Sequence, residues 1–141
     1  MNNLLGLLAV KESEGVVALV PTVDGASLID MVEAYESLQG FAPAGGYAGL
    51  LPAGDLNDYY RGVRARHWPR SKRLWLLGCD CGEVGCWPLE AEVVLAENSV
   101  TWSGFAQPHR PEWAYTGFGP FVFDRRQYED AVAAASAIVT S

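Results

Sequence analysis

A chain of 141 residues, half of them hydrophobic and 19% charged, can bury one core, so a single domain over 1–141 is expected. That composition fits neither a disordered chain nor a membrane protein, and the formal charge of -7 sets the bulk surface against nucleic acid and anionic membrane as partners. The longest apolar runs, Leu4 to Val10 and Val16 to Pro21, fall far below a spanning length. The first has no basic residues ahead of it and no small-residue cleavage site, which gives a cytoplasmic expectation.

Leu4 to Val10 and Val16 to Val20 flank the polar Lys11-Glu-Ser-Glu-Gly15 and read as an N-terminal hairpin, with a short helix over Leu4 to Val10 as the other option. Pro21 is expected to end the second run, because it supplies no ladder donor. After the Asp24-Gly25 turn, Ser27 and Asp30 resemble a capping pair ahead of a helix over about 27–39. Leu28, Met31, Val32, Tyr35 and Leu38 follow the spacing of one buried face, with Asp30, Glu33 and Glu36 elsewhere, and Gly40 is the natural stop.

From Phe41 to Leu56 glycine, alanine and proline predominate, which predicts an irregular connection. Gly45-Gly46-Tyr-Ala-Gly49 lacks the lysine and hydroxyl that a phosphate loop requires. A short helix over Leu56 to Tyr60 leads to a basic loop. Between Arg61 and Arg73 lie six of the ten basic residues and no acid, with His67 and Trp68 among them. Arg64, Arg66, His67 and Arg70 are therefore candidates for docking an acidic partner, set against a plain solvated loop.

All five tryptophans and all three cysteines fall between Trp68 and Trp113, so the core is expected there. Arg73-Leu-Trp-Leu-Leu-Gly78 is too short for a helix and is stopped by glycine. In Glu90 to Glu97 the residues Ala91, Val93 and Leu95 share one side. Asn98-Ser99 turns the chain into Val100 to Phe105. These three runs read as an antiparallel meander over about 73–105. Ala106 to Pro120 is broken by prolines and glycines and pinned by Trp113, Tyr115 and Phe118. Asp124 with Gln127 is a capping-box signature for a last helix over about 125–139. The fold class is thus α+β: an antiparallel sheet, the meander plus the N-terminal hairpin, packed by two main helices.

The segments Leu77-Gly-Cys-Asp-Cys-Gly-Glu-Val-Gly-Cys-Trp-Pro-Leu89, Val100-Thr-Trp102, Phe105-Ala-Gln-Pro-His-Arg110, Gly119-Pro-Phe-Val-Phe-Asp124 and Gln127-Tyr128 carry a resemblance. Together they resemble a group of small, mostly uncharacterised bacterial proteins sharing a Gly-Cys-x-Cys-Gly-x-x-Gly-Cys-Trp-Pro-Leu motif. The resemblance implies a shared fold and no particular activity.

Cys79, Cys81 and Cys86 follow a Cys-x-Cys-x4-Cys spacing with Gly82 and Gly85 between them. With His109 they offer the donor set of a three-cysteine, one-histidine zinc site. The spacing departs from the usual knuckle, so small apolar cysteines at a hairpin tip, with no cofactor, and a redox-sensing thiol stand as competing readings. No catalytic set stands out. A Cys81 or Cys86 pair with His109 is the one enzymatic option, and Asp55 with Asp58 and Glu90 with Glu92 read as solvated charges. The leading functional expectation is a small acidic binding or regulatory protein acting on a protein partner, in the manner of an immunity or antitoxin-like factor. It would dock through Arg64, Arg66, His67, Arg70, His109 and Trp113, with Trp113 and Tyr115 as exposed aromatics. A zinc-binding structural or sensor domain is the alternative.

Overall fold

The computed structural model describes residues 2–13, 16–52, 54–62 and 73–140. Its five-stranded antiparallel sheet has the order β4 (Tyr47–Ala48), β5 (Arg73–Cys79), β6 (Leu89–Leu95), β7 (Ser99–Ala106), β8 (Phe121–Asp124). The expected meander forms its centre. Two strands at the edges, four and two residues long, complete it. A second, three-stranded antiparallel sheet joins β1 (Leu5–Ser13), β2 (Val16–Val23) and β3 (Ala26–Ser27). The N-terminal segment reaches both sides of the large sheet. Asn3 bridges to Phe123 of β8, and Leu19 exchanges two backbone hydrogen bonds with Leu50, just past β4, at 2.9 and 3.1 Å.

Leu4 to Val10 therefore lies in an extended segment rather than a helix, and Pro21 lies inside β2, opposite Leu7. Strand alternation explains the proline. Leu19 points its backbone groups away from β1 to Leu50, so Pro21, two residues on, turns its missing N–H to that same side, which β1 does not need.

Three helices cover the sheets: α1 (Leu28–Gln39), α2 (Leu56–Tyr60) and α3 (Arg125–Thr140). The Ser27 hydroxyl caps α1 by accepting the Ile29 N–H at 3.2 Å, and Gly40 ends it in the left-handed region at φ 77°. The buried face of α1 is Leu28, Val32 and Glu36, whereas Leu38, expected inside, is 84% exposed. Leu95, expected inside on β6, is also exposed at its strand's end, while Ala91 and Val93 are buried as expected. Asp124 caps α3 by accepting the Gln127 N–H at 3.0 Å. The Gln127 side chain does not return the bond of a capping box. Its amide instead takes the Leu5 N–H at 3.0 Å and donates to the Leu5 carbonyl at 2.7 Å, standing in for a neighbouring strand on β1. Tyr59 does the same for β5, donating its hydroxyl to the Trp75 carbonyl at 2.6 Å and accepting the Trp75 N–H at 3.0 Å.

One core joins the large sheet to α2 and α3 and, through Leu5, Leu19, Val20, Val23, Leu28 and Val32, to the small sheet and α1. Trp102 is fully buried, meets Phe123 edge to face at 4.9 Å, and donates its indole N–H to Tyr128 at 3.0 Å. Tyr128 in turn donates to the Tyr60 carbonyl, which fastens α3 to α2. Among the described residues no helix is long and apolar enough to cross a membrane.

Candidate metal centre

The β5–β6 connection holds the three cysteines, and its shape follows from its neighbours. β4 pairs Tyr47 with Cys79 and Ala48 with Gly78, and the Asp80 N–H donates to the Gly46 carbonyl at 3.0 Å, so the start of the connection is fixed from one side. The chain then turns tightly at Gly82, φ 98°, into a single 3-10 turn at Val84–Cys86. Gly78 is favoured by close packing on Val84. A side chain there would meet Val84 Cγ2 at 3.1 Å and Val84 Cα at 3.2 Å. Two further bonds clamp the far side: the Trp87 indole N–H donates to the Gly45 carbonyl at 2.9 Å, and His109 Nε2 lies 2.9 Å from the Gly85 carbonyl.

This fold brings the Sγ atoms of Cys79, Cys81 and Cys86 within 4.8 Å of one another, as free thiols. Tetrahedral zinc with Zn–S bonds of about 2.3 Å sets sulfur–sulfur edges of about 3.8 Å, so closing on an ion takes side-chain movements of roughly 1 Å or less. Cys81 and Cys86 are exposed and Cys79 is half-buried, which replaces the expectation of cysteines packed as small core hydrophobes. Backbone N–H groups already point at two of the sulfurs: Cys81 N–H at Cys79 Sγ, 3.4 Å, and Glu83 N–H at Cys81 Sγ, 3.5 Å. Such donors spread thiolate charge and orient metal ligands.

The thiols do not ionise alike. Desolvation pushes Cys79 up to about 11. Cys86 is raised by its hydrogen bond with Cys81 and by that neighbour's charge. Cys81 is held below the usual thiol range by its hydrogen bond with Cys79 and by the Glu83 N–H. Cys81 is thus the thiol that gives up its proton most readily of the three. Three together require a positive charge at their centre.

His109 stands beside this cluster without entering it. Its Nε2 is the donor to Gly85, since a carbonyl only accepts, and its ring lies 6.3 Å from Trp87 at 11°. The imidazole thus faces a carbonyl and an indole rather than a thiol. Trp113 is half-buried and stacked on Phe41 at 4.7 Å, with the Arg110 guanidinium 5.9 Å from its ring and 5.0 Å from that of Trp87. Tyr115, expected as an exposed aromatic, is buried and hydrogen-bonded to Glu36.

Arg64, Arg66, His67 and Arg70 lie outside the described residues. The two ends of the basic loop belong to the scaffold: Arg61 pairs with Asp58 at 2.9 Å, and Arg73 pairs with Glu90 at 2.8 Å while donating to the Gly104 carbonyl. Asp55 caps α2 through the Asp58 N–H at 3.0 Å. Sequence reasoning missed the support beneath the hairpin. Fully buried Glu36 accepts from the hydroxyls of Tyr47 and Tyr115, both at 2.6 Å, and from the Gly45 N–H at 2.8 Å. Gln107 donates to both the Tyr47 hydroxyl at 3.1 Å and the Pro88 carbonyl at 3.0 Å. The i, i+4, i+8 spacing of Leu28, Val32 and Glu36 was the one signal that could have found it. No family model, curated protein or solved structure matches this chain.

Proposed function

We propose that this protein binds zinc at the tip of the β5–β6 hairpin, through the thiolates of Cys79, Cys81 and Cys86. The observation that carries the reading is the convergence of the three sulfurs within 4.8 Å, with backbone N–H donors on two of them. Three soft sulfur donors this close together select zinc over magnesium or calcium. The hydrophobic core reaches the base of the hairpin at Tyr47, Leu77 and Leu89 but does not include the cysteines, so the ion orders the hairpin tip rather than the whole fold. With Cys81 and Cys86 exposed, the ion exchanges with solvent, which suits a sensor better than a buried staple.

A docking role for a protein partner draws less support. The aromatic residues on which it relied are spent on the fold, Tyr115 on Glu36 and Trp113 on Phe41. The test is metal analysis of protein purified without an affinity tag, followed by cobalt substitution. One equivalent of zinc, and sulfur-to-cobalt charge transfer that is lost in Cys81→Ser, are expected. Less than about a tenth of an equivalent, with no charge-transfer band, would reject the site.

A further inference from the structure

A cleft of about 410 Å³ opens beside the cysteine turn, walled by Val17 of β2, Leu50 and Val84, and edged by Cys79, Asp80 and Cys81. Structural zinc sites are closed by four protein ligands, whereas sites with three keep a position for an outside molecule. Among the described residues the donor atoms that converge are three sulfurs, and the nearest imidazole, His109, is held on the Gly85 carbonyl. An ion on these sulfurs has the cleft on its Cys79–Cys81 side. Resting on the zinc reading above, we infer that the fourth position takes a small cationic thiol from this cleft.

Three features select that class. The ion already carries three thiolates, a soft ligand field in which a fourth sulfur replaces water readily. A divalent ion with three thiolates has a net charge of -1, and a fourth thiolate makes it -2 beside the Asp80 carboxylate, whose Oδ1 lies 3.9 Å from Cys79 Sγ. Glu83 is the other acid on this turn, and the sequence between Arg73 and Arg110 holds no lysine or arginine. A neutral or anionic thiol would add uncompensated charge, whereas an ammonium on the ligand sits against Asp80 and offsets it. Val17, Leu50 and Val84 offer apolar wall to a short carbon chain between the two polar ends. In the binding step the ion–water bond breaks, an ion–sulfur bond forms, and the thiol proton leaves to solvent. Nothing is oxidised or reduced.

The test titrates the cobalt-loaded full chain at neutral pH with cysteamine, 2-mercaptoethanol and 3-mercaptopropionate, which are similar in size and differ in charge. The charge-transfer intensity should rise by about one third as four sulfurs replace three. Cysteamine should saturate at about tenfold lower concentration than 2-mercaptoethanol, with 3-mercaptopropionate weaker still. Asp80→Asn should erase the cysteamine preference. A three-sulfur spectrum that ignores all three thiols, a spectrum that changes in His109→Ala, equal affinity for the three, or loss of cobalt to cysteamine would each overturn the inference while leaving the metal site standing. No cobalt spectrum at all would overturn both.

Discussion

Tyr115 donates its hydroxyl to Oε2 of Glu36, seventy-nine positions earlier, at 2.6 Å. The bond joins the loop after β7 to α1. Tyr47 of β4 donates to the same oxygen, and Gly45 to the other, so one buried carboxylate on α1 gathers the two segments that touch the cysteine hairpin, the stretch around Gly45 to Tyr47 and the loop after β7. The same loop presents the Gly45 carbonyl to Trp87 and the Gly46 carbonyl to Asp80. The local order of the cysteine cluster therefore depends on a group more than forty positions before Cys79.

Removing either end of this bond should be costly. Tyr115→Phe leaves the carboxylate one donor short, an expected loss of about 1.5–3 kcal/mol, since hydrogen bonds to charged groups are the stronger class. Glu36→Gln replaces one accepting oxygen with an NH2 group that faces other donors, and should cost at least as much. Denaturant unfolding measures both, and their double mutant should fall short of the sum because they share one network.

Raising the pH should unfold the protein through its tyrosines. Tyr47, Tyr59, Tyr60, Tyr115 and Tyr128 all have raised pKa values, with burial the largest cause in each. A raised folded-state value means that the stabilisation is fully present below the unfolded value of ~10 and is lost as pH climbs beyond it. Ultraviolet phenolate absorbance should then rise for these five together with loss of circular dichroism. Independent, gradual titration of all five in a folded protein would contradict the expectation.

The elements that could be read in the sequence are those whose causes are local. The helix expected at 27–39 is found at Leu28–Gln39, and the one expected at 125–139 at Arg125–Thr140, because caps and a 3.6-residue period act within a few positions. The meander was legible from its apolar runs and turns. β4, only Tyr47 and Ala48, was not, since two residues become a strand only where β5 offers a free edge. Glu36 looked like a solvent-facing acid because its donors, Tyr47 and Tyr115, are distant in sequence. At the site, the glycines foretold that the cysteines would crowd together. The orientation of His109 was set by the Gly85 carbonyl and the Trp87 ring, which no spacing rule encodes.

Arg73 should behave as scaffold rather than as part of a docking patch. Its guanidinium ties Glu90, 8% exposed, to the carbonyl of Gly104, where β7 takes a positive φ of 59° beside a register shift. Arg73→Gln removes the cation and leaves the carboxylate nearly buried, at a cost of roughly 2–3 kcal/mol. A melting temperature lowered by several degrees is expected. An unchanged one would return Arg73 to the surface.

The sharpest separation of fold from site comes from Gly78→Ala. The added methyl presses on Val84, whose 3-10 turn carries Cys86, and leaves the three thiols chemically intact. Because Val84 Cα is backbone, relief requires moving the turn and with it Cys86. Zinc affinity should fall by about tenfold or more, as supporting changes around metal ligands typically cause. The core around Trp102 should keep its unfolding midpoint in metal-free protein within about 1 kcal/mol. Competition with a chromogenic chelator measures the first and denaturant unfolding the second. Unaltered affinity would mean that the turn carrying Cys86 absorbs the methyl without moving its sulfur, and would reject the packing of Gly78 on Val84 as a support of the site.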